Sequence, residues 1–279
     1  MRKQILKGSS KYIEQFKGKV FVVKLGGSML DDKGLSDSVL DDIVSFHNKG
    51  ISIILVHGGG SAINRLMRQK GKEAKFIDGL RITDEETAAI VDDALTSVNT
   101  ELVDRINSRG VTAKPLVSSK YPVIAAKKRQ GSVPEDFLGD IDSIDTSYIS
   151  EALGRKGLPV ISPVGQGKDK KPYNINADVA ASEIASAIPA EKLILLTNVK
   201  GVMRSKDDES SLIPHIAEKE ALKLIRENII EGGMIPKVRA GIKALDRGVK
   251  KVHIISGKIP NALLLEVFTD EGIGTEIVR

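Results

Sequence analysis

Cysteine and tryptophan are absent from this 279-residue sequence, and aromatic residues make up only 4% of it. Without cysteine there is neither a disulfide framework nor a thiolate nucleophile. No apolar run reaches the roughly 18 residues that a membrane helix needs, and segment 1–6 lacks the apolar core of a secretory signal. We therefore expect a cytoplasmic protein that has no membrane partner and a largely aliphatic core.

A strong excess of one charge is also lacking. The formal net charge is only +5, and Lys and Arg are mixed with Asp and Glu along most of the chain. The short basic clusters at 127–129 and 168–171 contain no aromatic residue, so they lack the composition of a nucleic-acid surface. We expect no nucleic-acid partner, and a mild positive excess suits an enzyme with anionic substrates.

Two glycine-rich turns are the most informative feature that the sequence does contain. Each follows a short, β-branched apolar run and precedes an amphipathic helical pattern. Their glycines are Gly26, Gly27, Gly58, Gly59 and Gly60. Because glycine has no Cβ, its backbone N–H can come close to an anion at a sheet edge. The two turns, with Lys24 just before the first, predict a phosphate site.

Strands and helices alternate along the chain. Apolar runs predict strands at 20–25, 51–56, 158–162, 192–196, 251–255 and 275–278. Helical periodicity predicts helices at 35–49, 60–70, 84–108, 145–156, 217–227, 235–247 and 260–267. This order predicts an α/β fold, a three-layer αβα sandwich with a central, mostly parallel sheet. Thr83 and Glu86 predict the capping box of the long helix, and Asp78-Gly79 predicts a hairpin turn before it.

Two common phosphate motifs are excluded. No Gly-Lys pair here is followed by Ser or Thr, as a P-loop requires, and Ile63 stands where a dinucleotide fingerprint needs a third glycine. What remains is Lys24, a polar cluster at 174–178 that opens a helix, and Lys237 after Gly232-Gly233. Phosphoryl transfer depends mainly on positioning and positive charge, so Lys24, Asp178 and Lys237 are candidate catalytic residues.

The chain resembles the amino acid kinase family over nearly its whole length. The motifs that carry the resemblance lie at 24–27, 56–60, 78–83, 174–178, 195–202, 232–238 and 268–275. Each motif alone is weak, but their order and spacing together are specific. The resemblance implies transfer of the ATP γ-phosphoryl group to a carboxylate. It is greatest to members that phosphorylate the side-chain carboxylate of N-acetyl-L-glutamate in arginine biosynthesis.

The same resemblance implies roles for individual residues. Lys24 would stabilise the transferring phosphoryl group, Lys237 would lie toward the nucleotide, and Asp178 would orient both lysines. The phosphate would contact the backbone of Gly26, Gly27, Gly58, Gly59 and Gly60, with Gly27, Gly58 and Gly59 donating N–H groups. The acceptor would contact Gly59, Gly60, Arg81, Asn174 and Asn176. The nucleotide would contact Thr197, Asn198, Val199, Gly201, Gly233, Met234 and Lys237. Mg²⁺ would be carried on the ATP phosphates, so we expect no protein metal ligand.

The resemblance also implies a division of the chain and an assembly. Residues 1–18 would form an N-terminal helix, 19–180 the acceptor-binding lobe and 181–279 the nucleotide-binding lobe, on one continuous sheet. The pattern itself predicts a short helix at 3–16 that is weakened at 8–10. In hexameric, arginine-inhibited members such a helix links dimers, so we expect a homo-oligomer, a dimer or a hexamer. Glu271, Gly272 and Gly274 resemble the arginine-site segment of those members, which makes L-arginine a candidate effector.

Other interpretations stay open. The acceptor could be another acylated or carrier-linked amino-dicarboxylate, because segment 116–122 lacks the Gly-Lys-Asp-Gly-Gly stretch common in related enzymes. The chain could be a non-catalytic amino-acid-sensing module on the same fold, although both lysines and the aspartate are intact. A nucleic-acid binder is supported only by the positive charge. His57 is interpreted as structural, because a carboxylate nucleophile is already ionised and needs no base.

Overall fold

The structure is a computed structural model that describes residues 2–77, 80–129 and 136–279. Its strands are β1 (Val20–Leu25), β2 (Ser52–His57), β3 (Phe76–Ile77), β4 (Leu80–Arg81), β5 (Ala113–Leu116), β6 (Ile124–Lys128), β7 (Gly139–Ile144), β8 (Leu158–Ile161), β9 (Val164–Gln166), β10 (Pro172–Asn174), β11 (Lys192–Thr197), β12 (His215–Ala217), β13 (Lys251–Ser256) and β14 (Thr275–Val278). Its α-helices are α1 (Arg2–Gly8), α2 (Ser10–Phe16), α3 (Gly27–Leu30), α4 (Lys33–Asn48), α5 (Gly60–Gln69), α6 (Glu85–Asn107), α7 (Ser147–Gly154), α8 (Ala177–Ala187), α9 (Glu218–Arg226), α10 (Met234–Asp246) and α11 (Ala262–Phe268), and a 3₁₀ helix covers Glu209–Ser211. None of the helices within these residues combines the length and the apolar character needed to cross a membrane.

In the described part of the chain, eight strands form the central sheet, in the order β12-β14-β13-β11-β1-β2-β8-β5. Neighbouring strands run parallel, apart from β13 and β14, which are antiparallel. This confirms the predicted, mostly parallel sheet. The register pairs Lys24 with Val56 on β2 and with Leu195 on β11, so these three strands end side by side. In open α/β sheets, ligands bind at this carboxyl edge.

Helices cover both faces of the sheet, as alternate residues of β1 show. Phe21, Val23 and Leu25 pack in a buried cluster with side chains of α4, α6 and α11. Val22 packs in a second buried cluster with side chains of α8, α9 and α10. The three-layer αβα sandwich is therefore confirmed. Lys24 lies two residues after Val22, so its side chain is on the α8 face.

Two small sheets flank the carboxyl edge. The described residues form a four-stranded sheet in the order β10-β9-β6-β7 and the β3–β4 hairpin. The hairpin confirms the prediction and pairs Phe76 with Arg81; its predicted turn residues, Asp78 and Gly79, lie outside the described residues. β10 ends at Asn174, three residues before α8 begins at Ala177. The small sheets thus carry Arg81 and Asn174 to the edge where β1 ends.

The start of α6 differs from the prediction. The N-cap is Asp84, whose side chain accepts a hydrogen bond from Thr87 N at 2.8 Å, so the predicted capping box of Thr83 and Glu86 is wrong. The reason is that Thr83 Oγ1 donates to Arg81 O at 2.8 Å, which turns the hydroxyl away from the helix.

The predicted N-terminal helix is weakened where the sequence indicates. It is divided at Ser9 into α1 and α2. Ser9 Oγ donates to Leu6 O at 2.9 Å, so its side chain satisfies a carbonyl at the end of α1.

Candidate active site

The two glycine turns are in direct contact. Gly58 N donates to Leu25 O at 2.8 Å, which extends the β1–β2 ladder into the second turn. A Cβ on Gly27 would lie 2.7 Å from Gly60 N and 3.1 Å from Gly59 N. A side chain at residue 27 would therefore occupy the space in front of both amides, so this position requires glycine.

These contacts divide the predicted phosphate-binding glycines into two groups. Gly27, Gly59 and Gly60 line a cavity, and so does Gly58. However, the Gly58 amide is already bonded to Leu25 O, so it is not free to donate to a phosphate. Gly26 does not line this cavity and is the N-cap of α3. The predicted N–H donation by Gly58 is therefore corrected.

Lys24, Asp178 and Lys237 meet at one point, although they lie far apart in the sequence. Asp178 Oδ1 is 2.8 Å from Lys24 Nζ, and Asp178 Oδ2 is 2.6 Å from Lys237 Nζ. Lys24 is only 6% exposed and Asp178 only 4%. One carboxylate therefore holds two ammonium groups, one from β1 and one from α10.

The protonation states of this cluster follow from burial and mutual attraction. Burial disfavours the charged form of Asp178, but the ammonium groups of Lys24 and Lys237 outweigh this, so its pKa lies below the ordinary value. Burial lowers the pKa of Lys24, and Asp178 opposes that effect. Asp178 is also in the first turn of α8, where the helix dipole favours a negative charge.

A cavity of about 230 Å³ adjoins this cluster on one side. Among the residues that line it are Lys24, Gly27, Gly58, Gly59, Gly60, Arg81, Asn174, Asn176 and Asp178. The structure therefore brings together every residue predicted to contact the acceptor. Phe76 and Leu138 contribute apolar surface to the same wall. We call this space the acceptor cavity.

Arg81 is held in the acceptor cavity by groups on α5. Its guanidinium donates to Asn64 Oδ1 at 2.6 Å and to Gly60 O at 3.4 Å, and it stacks over the Phe76 ring at 4.8 Å. Sequence analysis did not single out Asn64. The available signal was its place one helical turn after Gly60, on the face that follows the glycine turn.

The orientations of Asn174 and Asn176 are determined by their partners. Thr83 Oγ1 donates to Arg81 O, so it must accept the hydrogen bond from Asn174 Nδ2 at 3.2 Å. Asn176 Oδ1 accepts from the amides of Asp178 and Val179 at 2.9 and 3.1 Å as the N-cap of α8. Asn174 therefore keeps its Oδ1 for a ligand, and Asn176 keeps its Nδ2. The sequence did not indicate the capping role of Asn176.

A second cavity, of about 390 Å³, adjoins Lys237 on the other side of the cluster. It is lined by all the residues predicted to contact the nucleotide: Thr197, Asn198, Val199, Gly201, Gly233, Met234 and Lys237. Lys237 lies in the first turns of α10, whose N-terminus begins at Met234. The described residues contain no group of three His, Cys, Asp or Glu that could hold a metal ion. We call this space the nucleotide cavity.

A third cavity lies at the opposite, amino edge of the sheet. It has a volume of about 280 Å³, and Glu271, Gly272 and Gly274 line it together with Tyr12 of α2. Beneath it is a buried chain in which Lys192 Nζ is 2.9 Å from His253 Nε2, and His253 Nδ1 is 2.7 Å from Glu266 Oε1. Glu266 Oε2 accepts from the amide of Gly274 at 3.0 Å. We call this space the tail cavity.

The fold and the cluster between two cavities are those of an α/β phosphotransferase that brings an anionic acceptor to a nucleotide. A sequence model described as the amino acid kinase family matches residues 19–256. The chain therefore belongs to the amino acid kinase family.

Relatives with known names agree with this assignment. The chain is 42% identical to "Acetylglutamate kinase" of Caldanaerobacter subterraneus subsp. tengcongensis over 278 residues, which is 99% of this chain and 93% of that protein. It is 43% identical to "Acetylglutamate kinase" of Clostridium kluyveri over 275 residues, 98% of this chain and 97% of that protein.

A solved structure is similar over the whole fold. N-acetylglutamate synthase from Neisseria gonorrhoeae, crystallised with coenzyme A and N-acetyl-glutamate, superposes with a TM-score of 0.86 at 25% identity. The match covers 99% of this chain, and this chain spans 63% of the synthase.

Proposed function

We propose that the chain transfers the γ-phosphoryl group of ATP to the side-chain carboxylate of N-acetyl-L-glutamate. The observation that carries this proposal is the Lys24–Asp178–Lys237 cluster at the junction of the acceptor and nucleotide cavities. The names of the full-length relatives favour the same substrate. We infer that the reaction is a step of arginine biosynthesis and takes place in the cytoplasm, where ATP is available.

The proposed chemistry needs no general base. An ionised carboxylate oxygen of the acceptor attacks the γ-phosphorus, the bond to the β–γ bridging oxygen breaks, and the products are an acyl phosphate and ADP. Negative charge develops on the equatorial oxygens and on the leaving oxygen. The equatorial oxygens are stabilised by Lys24 and by the amides of Gly27, Gly59 and Gly60. The leaving oxygen is stabilised by Lys237. Asp178 holds both ammonium groups in place.

The free hydrogen-bonding groups of the acceptor cavity suit an N-acylated amino acid. Asn174 offers the acceptor Oδ1 and Asn176 the donor Nδ2, and this pair complements the N–H and C=O of one amide group. A free ammonium group has no carbonyl for Asn176. Arg81 supplies a positive charge for a carboxylate, and its Nη2 is held by Asn64 Oδ1 and Gly60 O. This set supports N-acetyl-L-glutamate over unmodified glutamate.

The nucleotide is proposed to bind in the nucleotide cavity, with its phosphates toward Lys237 and the start of α10. Mg²⁺ supplies further positive charge on those phosphates. Each oxygen of Asp178 lies within 2.8 Å of a lysine ammonium group, and on this proposal the ATP phosphates hold the ion. On this proposal residues 19–180 form the acceptor lobe and 181–279 the nucleotide lobe of one continuous sheet.

An assay with hydroxylamine tests the proposal. Hydroxylamine converts an acyl phosphate into a hydroxamate, so ATP, Mg²⁺ and N-acetyl-L-glutamate should give hydroxamate in step with ADP. A panel of N-acetyl-L-aspartate, N-acetyl-L-aminoadipate and L-glutamate serves as the control. A higher kcat/KM for another acylated amino-dicarboxylate would show that this compound, not N-acetyl-L-glutamate, is the preferred acceptor. Formation of ADP without hydroxamate, whichever acceptor is added, would contradict the proposal that the enzyme phosphorylates a carboxylate.

A second proposal concerns regulation and assembly. The tail cavity combines an acidic lining, including Glu271 and Glu276, with contacts from the N-terminal α2, and this favours a cationic effector such as L-arginine. We propose that L-arginine binds here and that α1 and α2 join protomers in a homo-oligomer. A rate that stays flat up to millimolar L-arginine would end the effector proposal. A monomer by sedimentation would end the assembly proposal.

A further inference from the structure

His57 is the last residue of β2 and is completely buried next to the second glycine turn. Its Nδ1 is 3.0 Å from Gly58 O. Its Nε2 is 3.1 Å from Nδ2 of Asn99, a fully buried residue of α6. Asn99 Nδ2 is also 2.9 Å from Val160 O on β8. A continuous chain of hydrogen bonds thus runs from β8 through α6 and β2 to the glycine turn.

The direction of each bond in this chain is determined. Val160 O can only accept, so the Asn99 atom near it is the amide nitrogen, whose second hydrogen points to His57 Nε2. Nε2 therefore accepts, and the single proton of a neutral ring is on Nδ1. Burial lowers the pKa of His57 to about 4, which keeps the ring neutral at ordinary pH. His57 Nδ1–H therefore donates to Gly58 O.

This bond sets the direction of an amide in the acceptor cavity. Gly58 O and Gly59 N–H belong to one planar trans peptide unit, in which C=O and N–H point in opposite directions. Holding Gly58 O against the buried ring turns the Gly59 N–H away from the ring. Gly27 is close to this amide, because a Cβ at residue 27 would be 3.1 Å from Gly59 N. Gly59 also lines the acceptor cavity.

We infer that His57 and Asn99 are positioning residues that aim the Gly59 N–H at the transferring phosphoryl group. The inference rests on the proposed function, because it assigns Gly59 as a donor to the phosphoryl oxygens. Neither side chain lines the acceptor cavity or the nucleotide cavity. The ring fixes the peptide plane, and Asn99 fixes the tautomer of the ring. Glycine lacks a side chain that would restrict this plane, so the turn depends on an outside group for its orientation.

Two substitutions at residue 57 separate positioning from simple packing. His57→Asn places an amide nitrogen near the position of Nδ1, so a donor to Gly58 O is kept. His57→Gln places its amide near the position of Nε2, so that donor is lost. Loss of a transition-state amide donor costs about 10²–10³-fold in kcat, and a misdirected donor should cost about 10-fold or more. We expect this loss in His57→Gln at unchanged KM for ATP, with kcat largely recovered in His57→Asn.

Controls and contrary outcomes are defined by the same variants. His215→Gln, at an exposed histidine of β12, controls for the substitution itself. Asn99→Ser removes the donor to Nε2 but leaves the ring, so it should lower kcat less than His57→Gln, and it substitutes for that variant if His57→Gln does not fold. A folded His57→Gln enzyme with wild-type kcat would overturn the inference. Equal losses in His57→Asn and His57→Gln would also overturn it.

A measurement without substrates separates this inference from the proposed function. In protein labelled with ¹⁵N-glycine, the amide resonance of Gly59 should move in His57→Gln and stay near its wild-type position in His57→Asn. A resonance that does not move in His57→Gln overturns the positioning role whatever the acceptor is. If the resonance moves as expected but the wild-type protein forms no hydroxamate, the proposed function fails and the orientation of Gly59 by His57 stands.

Discussion

Two buried lysines lie on adjacent strands of the central sheet, at opposite edges. Lys24 is near the carboxyl end of β1, and Lys192 begins β11, where the register pairs it with Phe21. Their exposures are nearly equal, 6% and 5%. Lys24 contacts the carboxylate of Asp178, whereas Lys192 contacts the neutral acceptor of His253 and lies 5.2 Å from the Phe16 ring. Burial lowers the pKa of Lys192 to about 8.

The difference between the two edges teaches what makes a buried lysine a candidate for catalysis. At the carboxyl edge, loops leave every parallel strand, so glycine turns, Arg81 and two asparagines all reach the same space. At the amino edge, Lys192 is part of a closed chain that ends on the Gly274 amide and fixes the tail segment. The two lysine side chains are therefore alike in burial and in type. The free backbone amides around Lys24 distinguish its site from that of Lys192.

The largest expected effect comes from removing each lysine in turn. Lys24→Met should lower kcat by about 10²–10³-fold, because it removes a preorganised positive charge from the transition state. Lys192→Met should cost far less in kcat, because Lys192 is at the other edge of the sheet. Hydroxamate formation at saturating substrates gives both values, and circular dichroism checks that both variants fold. Equal losses of kcat would break the comparison.

A methyl group added to a glycine at each edge sharpens the comparison. Gly27→Ala places a carbon 2.7 Å from Gly60 N, so it should block the amides and lower kcat by about 10-fold or more. Gly272→Ala should instead lower stability by about 1–2 kcal/mol, because Gly272 has φ +64° in the left-handed region. Steady-state rates and thermal midpoints of both variants are the measurements. A larger loss of kcat in Gly272→Ala would contradict the assignment of the two edges.

A third expected effect is on stability in acid. His57 has a pKa of about 4 in the folded protein, below the ordinary value of 6.5, so the unfolded chain binds more protons between these values. The contribution of neutral His57 is thus fully present above pH 6.5 and is lost as the pH falls toward 4. The slope of the free energy of unfolding against pH from this one group is at most about 1.4 kcal/mol per pH unit. The groups that face the ring, Asn99 and the Gly58 carbonyl, carry no charge.

Urea titrations between pH 7 and 4 measure this slope. His57→Asn should flatten it, and His215→Asn, at an exposed histidine, should leave it as in the wild type. An unchanged slope in His57→Asn would show that His57 titrates normally and would remove the argument for a neutral ring.

Much of the fold could be predicted from the sequence because its signals are local. Apolar runs and helical periodicity indicated the strands and helices, and their alternation indicated a parallel sheet between two helical layers. The positions of Lys24, Asp178 and Lys237 next to glycine turns and helix starts indicated candidate residues. The structure brings these three together and places every predicted acceptor and nucleotide contact along two cavities. Their roles in catalysis stay predictions.

The parts that could not be predicted depend on partners distant in sequence. Whether the Gly58 amide is free depends on the register of β1 and β2, because in this register the amide donates a hydrogen bond to Leu25 O. Asn176 was expected to contact the acceptor, yet its Oδ1 caps α8. His57 was interpreted as structural, and its contacts with Gly58 O and with Asn99, 42 residues away, indicate what it positions.

The sequence by itself determined the layers, the family and the kinds of residue at the candidate site, because periodicity and short motifs act over a few neighbouring residues. Only the tertiary structure decided which backbone amides remain free, which side-chain atom of each asparagine is left for a ligand and which of two equally buried lysines lines the acceptor cavity. Strand register and helix packing set those choices, since each is made by a hydrogen bond between residues from different elements.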